Sequence, residues 1–293
     1  MNIQQLQLTE LFKLAATRRN RVSDIVPKYF NVEVTSNTAP FTYGFTPYLN
    51  NTSIIVNWDD GVIEQFSGTS STEKTHTWDT PGTKLIQIVG NSNIHRVRIS
   101  PVTVSQQLLV TNVYGNWTAL GDITDGTEMF DGLKNATMSF STLPDNLQTS
   151  YRMFNNCNAA VLTISEWPTT FNGNCASMFN SCYNSLLGFT NIPYNATVVD
   201  SIFMYANKIN PPISSLATNS STKVYTNMFR GCILLYLNLD TITDDLSHVT
   251  TIQRMFAYCS HVTGDASAFL ARCAPGCTYL EAFLSTGCTN IPA

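Results

Sequence analysis

A Met-Phe pair returns about every 25 residues through the second half of the chain, as Met129-Phe130, Met153-Phe154, Met178-Phe179, Met228-Phe229 and Met255-Phe256. Ile202-Phe203 fills the gap as a degenerate copy and Ala282-Phe283 extends the series, so successive phenylalanines lie 24, 25, 24, 26, 27 and 27 residues apart. A fixed period of this length marks units that stack, because no single unit can bury its own apolar face. Three residues after each phenylalanine stand Leu133, Cys157, Cys182, Ala206, Cys232 and Cys259. Ten residues after it come Phe140, Ile164, Phe189, Ile213, Leu239 and Ala266; thirteen after it come Leu143, Trp167, Ile192, Leu216, Ile242 and Phe269.

The phenylalanine and the residue three later share the inward face of one short helical or 3₁₀ turn. Further on, Leu187 and Phe189, or Leu237 and Leu239, alternate with period two as in a short strand. No copy holds a 3.6-residue period beyond two turns, which excludes a string of amphipathic helices. The expected fold is therefore mixed β/α, closing in a solenoid to which each unit adds one strand of a parallel β ladder. Pro211-Pro212 predicts a bulge in the fourth copy. The drift of register after Phe269 predicts an atypical capping unit.

Four of the eight cysteines, Cys157, Cys182, Cys232 and Cys259, share one repeat position, while Cys175, Cys273, Cys277 and Cys288 are scattered. A column that alternates with Leu133 and Ala206 reads as reduced thiols packed as small hydrophobes. A disulfide framework is the alternative. A metal site on Cys273 and Cys277 finds only Cys288 and His261 nearby in sequence, so neither metal nor cofactor is expected.

Charged residues make up 12% of the chain, about half the usual fraction. Such a surface binds through amides, hydroxyls and aromatic rings. A net charge of −4 and a single basic cluster, Arg18-Arg19-Asn20-Arg21, give no footprint for nucleic acid. No stretch approaches the ~20 apolar residues of a membrane span. Met1 to Ala16 lacks the basic and continuous apolar regions of a conventional secretion signal. Ile3, Leu6, Leu11 and Leu14 instead fall on one stripe, which predicts an N-terminal amphipathic helix within residues 1–29 serving as an anchor to other subunits.

Residues 30–100 change to an all-β pattern. Phe41 to Phe45 leads to a turn expected at Pro47, and Ser53 to Trp58 ends in Asp59-Asp60-Gly61, a hairpin-type turn. His76-Thr77-Trp78, the turn at Pro81-Gly82 and the alternating run from Lys84 to Gly90 complete a small β-sandwich. The Trp58-Asp59-Asp60-Gly61 turn, the His76-Thr77-Trp78 step and Pro81-Gly82-Thr83 resemble a PKD domain, with Trp78 and Lys84 where that family usually has tyrosines. This Ig-like resemblance implies a spacer or adhesive module. A plain turn is expected at Asp59 and Asp60 in preference to a calcium site.

Within a domain expected over residues 101–293, about residues 105 to 290 resemble the BspA-like leucine-rich repeats, whose signature is Met-Phe-x-x-Cys followed by leucines and a strand; the lead-in Val110 to Trp117 is similar to the strand that enters such an array. The resemblance implies host-surface adhesion. PKD domains joined to such repeats occur in bacterial surface adhesins and in virion proteins of phages that infect Bacteroidetes.

The four histidines are isolated, and no nucleophile elbow, P-loop or dinucleotide fingerprint is present. Glu166 and Asp200 read as solvated acids, with a glycan hydrolase on a solenoid scaffold as a remote alternative. Tyr183, Asn184, Tyr205, Asn207, Tyr236, Asn238 and Tyr258 fall between turn and strand, where rings stack on sugars and amides bind hydroxyls. The expectation is a non-enzymatic bacteriophage virion structural protein, of head or tail fibre or decoration type. Its N-terminus attaches to other virion subunits and its repeats meet a host glycan or protein. A homo-oligomer is expected, although no heptad pattern enforces one. A bacterial cell-surface adhesin is the alternative.

Overall fold

The computed structural model describes residues 29–91, 93–209, 213–216, 219 and 224–292. The N-terminal helix with Ile3, Leu6, Leu11 and Leu14, the basic cluster at 18–21 and the bulge at Pro211-Pro212 lie outside the described residues.

Six strands open the chain: β1 Phe30–Ser36, β2 Phe41–Asn57, β3 Ile63–Ser70, β4 Lys74–Trp78, β5 Gly82–Gly90 and β6 Arg96–Arg98. Along β1, Phe30, Val32 and Val34 are fully buried while Glu33 and Thr35 reach the surface, the alternation of a strand with one face on a core. β2 is long because it changes partners. Phe41 to Phe45 pairs with β4, Thr46 to Tyr48 with β6, and the remainder with β3 and β5. Pro47 therefore sits inside a strand, opposite Val97, and is not the turn its sequence context suggests.

The Trp58 motif works as a clamp. Asp59, in the left-handed region at φ 70°, accepts the Leu85 amide of β5 at 2.9 Å. Asp60 accepts the Val62 amide at 3.1 Å and holds His76 at 2.7 Å, and the His76 ring stacks on buried Trp58. Both carboxylates are thus used by the turn itself.

A four-residue helix, α1 Val104–Gln107, leads to β7 Val110–Gly115. β7 runs antiparallel to β1 and parallel to β8 Thr137–Met138, so the sheet of the first half continues into the first repeat unit. One apolar core runs without a break from Phe30 to Phe283.

The expected mixed β/α solenoid with a strand from every unit is not what forms. The described residues are mostly β, with helix confined to α1 and the five-residue α2 Ala266–Leu270. Parallel strands in the second half are short and interrupted: β9 Leu186–Leu187 with β10 Lys208–Ile209, then β11 Leu237–Asn238, β12 Val262–Asp265 and β13 Gly287–Thr289. The alternation at Leu237 and Leu239 is real in burial, but a 3₁₀ turn, Leu239–Thr241, ends the strand there.

What joins the units is the Met-Phe turn. The amide of each phenylalanine, and those two residues before and two after it, donate to carbonyls of the next unit. Phe154 donates to Met178, Arg152 to Ala176 and Asn156 to Asn180; the pattern recurs at six steps, giving eighteen bonds of 2.7–3.0 Å. The intervening amides close tight turns within the unit, such as Asn155 to Arg152 and Cys157 to Phe154. Sending alternate amides outward in one direction requires alternate handedness. The residues two before (Glu128, Arg152, Ser177, Ser201, Asn227, Arg254, Glu281) and two after (Gly132, Asn156, Ser181, Tyr205, Gly231, Tyr258, Ser285) all have positive φ, between 53° and 80°. The unit at Phe283 keeps this geometry in full, so the register predicted to drift is restored there.

The phenylalanines form a continuous pile. Phe130, Phe154, Phe179, Phe203, Phe229, Phe256 and Phe283 stack with centroids 5.3–6.1 Å apart, and Phe30 of β1 begins the pile 6.2 Å from Phe130. At the same end the first unit's carbonyls are covered. The amides of Ile99 and Ser100 donate to Met129, and the Ser100 hydroxyl donates to the Asp131 carbonyl.

The cysteine column fits this scheme. The thiols of Cys157, Cys182, Cys232 and Cys259 point at the phenylalanine carbonyl of the preceding unit, at 2.8–3.1 Å. All eight cysteines are free thiols. Burial pushes Cys182 and Cys259 up to about 12 from 9.0. A group whose folded-state pKa is raised keeps its full contribution below the unfolded value and loses it above, because only the unfolded chain then releases the proton. Unfolding midpoints should thus fall as pH rises from about 9 toward about 12. A thiol reagent at neutral pH should modify Cys277 and Cys288, which are part exposed, and spare the column. Rapid labelling of Cys182 in the folded protein would contradict this packing.

Candidate contact surface

The seven predicted contact residues divide between two places. Tyr205 and Tyr258 occupy the left-handed position after their phenylalanines, on alternate units. The unit between them has Gly231 there, where a β-carbon would collide with the Tyr205 ring. Arg230 lies beside this gap, its guanidinium 6.0 Å from the Tyr205 ring centre and 5.8 Å from that of Tyr258. A cation between two ring faces is held electrostatically. The result is a Tyr-Arg-Tyr cluster, with Tyr258 46% exposed. Sequence reasoning missed Arg230 because its repeat position holds Asn155, Asn180, Met204 and Ala257 in other units.

Tyr183 and Tyr236 lie farther along the unit, beside the short strands. Tyr236 is 57% exposed and stacks on His261 at 4.3 Å, with Ile233 and Leu234 exposed next to it. Tyr183 belongs with exposed Leu186 and Val161. Val161, Leu186 and Tyr236 share one repeat position, seven residues after the phenylalanine. Other units carry Thr137, Asn210 and Thr263 at this position, so the apolar side chains there do not form an unbroken column.

The asparagines serve mainly the fold. Asn184 donates to the Asn158 carbonyl at 2.9 Å. Asn238 caps the 3₁₀ turn by accepting the Asp240 amide at 3.0 Å, with its oxygen where a β-carbon on Gly264 would stand. Asn207 is half-buried. Of the seven residues, Tyr205, Tyr236 and Tyr258 make fewer side-chain hydrogen bonds within the fold than Asn184 and Asn238 do.

At the start of the stack the same turn face is charged. Arg98 pairs with Glu128 at 3.1 Å, and Arg152 with Asp131 at 2.9 Å. Burial raises the Asp131 carboxyl, against the pull of its hydrogen bond from Asn155 and of Arg152. Asn155 donates to Asp131 at 2.7 Å and Asn180 donates to Asn155 at 2.8 Å, a buried polar chain that follows the stacking direction.

Beside it a groove of about 250 Å³ is lined by Asn116, Trp117, Asp122, Thr142, Asp145 and Asn146. Its indole N–H is committed to the Thr142 carbonyl, and Asn146 to Asp122. Glu166 is exposed and Asp200 half-buried, and no hydrogen bond or ion pair joins them among the described residues. Burial raises the Asp200 carboxyl while the Thr226 amide pulls it down. Among the described residues no group of three or more His, Cys, Asp or Glu could hold a metal ion, and no helix is long and apolar enough to cross a membrane.

Comparison with curated proteins and with solved structures finds no match. A family model does match, over residues 102–185 and again over 148–269, and it is consistent with the BspA-like repeats that these residues resemble. With more than half its length so matched, the chain belongs to the DUF285 family, described as a Mycoplasma protein of unknown function.

Proposed function

We propose that this protein is a non-enzymatic adhesion module whose stacked units present Tyr183, Tyr205, Tyr236 and Tyr258 to a glycan or protein on a host surface. The observation that carries the reading is the exposure of large apolar side chains, Tyr236, Ile233, Leu234, Leu186 and Val161, on units whose main chains are tied together. Contiguous exposed apolar surface marks interaction sites, and rigid aromatic residues dominate binding energy. The N-terminal β region, with its resemblance to a PKD domain, serves as the spacer. Residues 1–29 attach it to other subunits of a virion, where the chain acts as a homo-oligomeric fibre or decoration. The family match favours a second carrier, the bacterial cell surface, because its model is described for a cellular organism.

The test uses intact chain on immobilised host-surface glycans and on intact cells. Tyr236→Ala should weaken binding by about thirty-fold, a hot-spot effect of about 2 kcal/mol, with unfolding unchanged because the ring is 57% exposed. Equal binding by Tyr236→Ala and Ile233→Ser variants would reject the surface. Antibody labelling of purified particles against labelling of bacterial cells separates the two carriers.

A further inference from the structure

The turn face carries two cations where its first joint carries an ion pair. In the repeat register Arg152 stands two residues before its phenylalanine and Asp131 one residue after the preceding phenylalanine, and they meet at 2.9 Å. Arg254 and Arg230 occupy the same two positions four units later. No other joint sets like charges there; the rest place Ser, Asn or Glu against Asn, Met or Ala. Arg254 is drawn to Glu281 of the following unit, to which its Nε donates. Arg230 has no such outlet. Among the described residues every other arginine has an acceptor: Arg96, Arg98, Arg152 and Arg254 pair with carboxylates, and Arg272 donates to main-chain carbonyls. The Arg230 guanidinium makes no hydrogen bond or ion pair among them, and its Nε is buried without a partner. From 201 to 239 the chain carries Lys208, Lys223 and Arg230 and no Asp or Glu. The Oδ1 of Asp200, the acid before this stretch, is likewise buried without a partner.

We propose that Arg230, with Arg254 and the rings of Tyr205 and Tyr258, is a site for the carboxylate of an acidic sugar, a uronate or sialate residue of a surface glycan. The assignment rests on the adhesion reading above and names its ligand class. The two rings, 6.0 and 5.8 Å from the guanidinium, hold it in place but offer no strong acceptor, so its donors stay uncommitted. A guanidinium fork donates to both oxygens of a carboxylate, and such charge-assisted pairs are the strong ones. The second arginine adds charge of the same sign at the neighbouring position, which draws an anion to the joint. Tyr258, 46% exposed, gives the apolar face of the sugar ring a surface to stack on. Charge alone would suit any small anion; the rings select the sugar that carries it.

The full chain is tested on an array of uronate- and sialate-terminated oligosaccharides, each printed beside its methyl ester. An acid should bind about ten-fold more tightly than its ester, the effect of one charge-assisted pair. Arg230→Gln should bring the acid down to the level of the ester. Its unfolding midpoint should be unchanged or higher, because the substitution removes one of two like charges and no hydrogen bond. Arg254→Gln should weaken binding by a smaller factor, since Glu281 already offsets that charge. Acid and ester bound alike, or the parent and Arg230→Gln binding alike, would overturn the proposal. If Tyr236→Ala then still weakens binding, the adhesion reading stands without this site. Binding to no glycan on the array would overturn both. Displacement of the acid glycan by acetate as readily as by the free sugar acid would overturn the sugar assignment in favour of a simple anion.

Discussion

Phe179→Ala should lower stability by about 3–5 kcal/mol, the range for removing a buried aromatic ring from a well-packed core. In a chain of this size that corresponds to a fall in Tm on the order of 10 °C. The ring is fully buried and lies between two parallel neighbours, Phe154 at 5.7 Å and Phe203 at 5.8 Å, with Phe189 at 5.6 Å on its edge. Truncation leaves a void bounded above and below by rings whose own positions are fixed by main-chain bonds, so the site cannot collapse. Phe179→Leu keeps most of the volume and should cost markedly less, which separates filling from ring stacking. Phe283→Ala should also cost less, because Phe283 has a stacked ring on one side only. Thermal and urea unfolding followed by circular dichroism measures all three. A Phe179→Ala protein within about 1 kcal/mol of the parent would mean that the pile is not what stabilises the stack.

The second large effect is expected at Gly90. The last residue of β5 approaches the turn at Leu120 so closely that an added β-carbon would collide with the Leu120 carbonyl oxygen, which is main chain and cannot rotate away. Gly121 and Gly115 make similar approaches, to the Asn91 carbonyl and to the Tyr29 carbonyl at 2.6 Å. These three glycines let the strands of the first half and the first unit share one core, because β7 pairs with both. Gly90→Ala should cost at least the upper end of the ~1–3 kcal/mol typical of overpacking. Gly61→Ala is the control: its β-carbon meets nothing within 4 Å, so only the strain of φ +87° remains. Soluble yield and the unfolding midpoint of the two variants report the difference, and equal values would contradict the close approach.

How much of this was legible depended on which atoms hold each part together. The phenylalanine pile and the cysteine column were readable because side chains carry them, and a side chain has a letter. The main-chain ladder was not, because a positive-φ residue can be Glu128, Arg152, Tyr205 or Asn227 alike. One signal was present: none of the fourteen left-handed positions holds Val, Ile, Thr or Pro, the residues least able to adopt that conformation. The strands were over-read for the converse reason. Leu237 and Leu239 alternate inward as in a strand, yet Asn238 accepts the Asp240 amide and turns the chain. Among the residues expected to make contacts, Tyr236 and Tyr258 are exposed. Asn238 was read only as a contact residue, because an amide that caps a turn and an amide that meets a ligand look identical as letters. Arg230 was missed because its value comes from the rings on the flanking units, not from its own neighbours in sequence.

The ladder of turns also bears on how such a protein changes over generations. The ladder of each joint is made of main-chain atoms around one phenylalanine, so its hydrogen bonds do not depend on which units meet. Duplicating or deleting the segment between two equivalent points, for instance Phe203 to Phe229, leaves every remaining joint with its proper partner. Length is then a quantity that recombination can adjust in whole steps of roughly 4.8 Å, the spacing of hydrogen-bonded parallel chains, with only the side chains at the new joint left to accommodate one another, as Gly231 accommodates Tyr205.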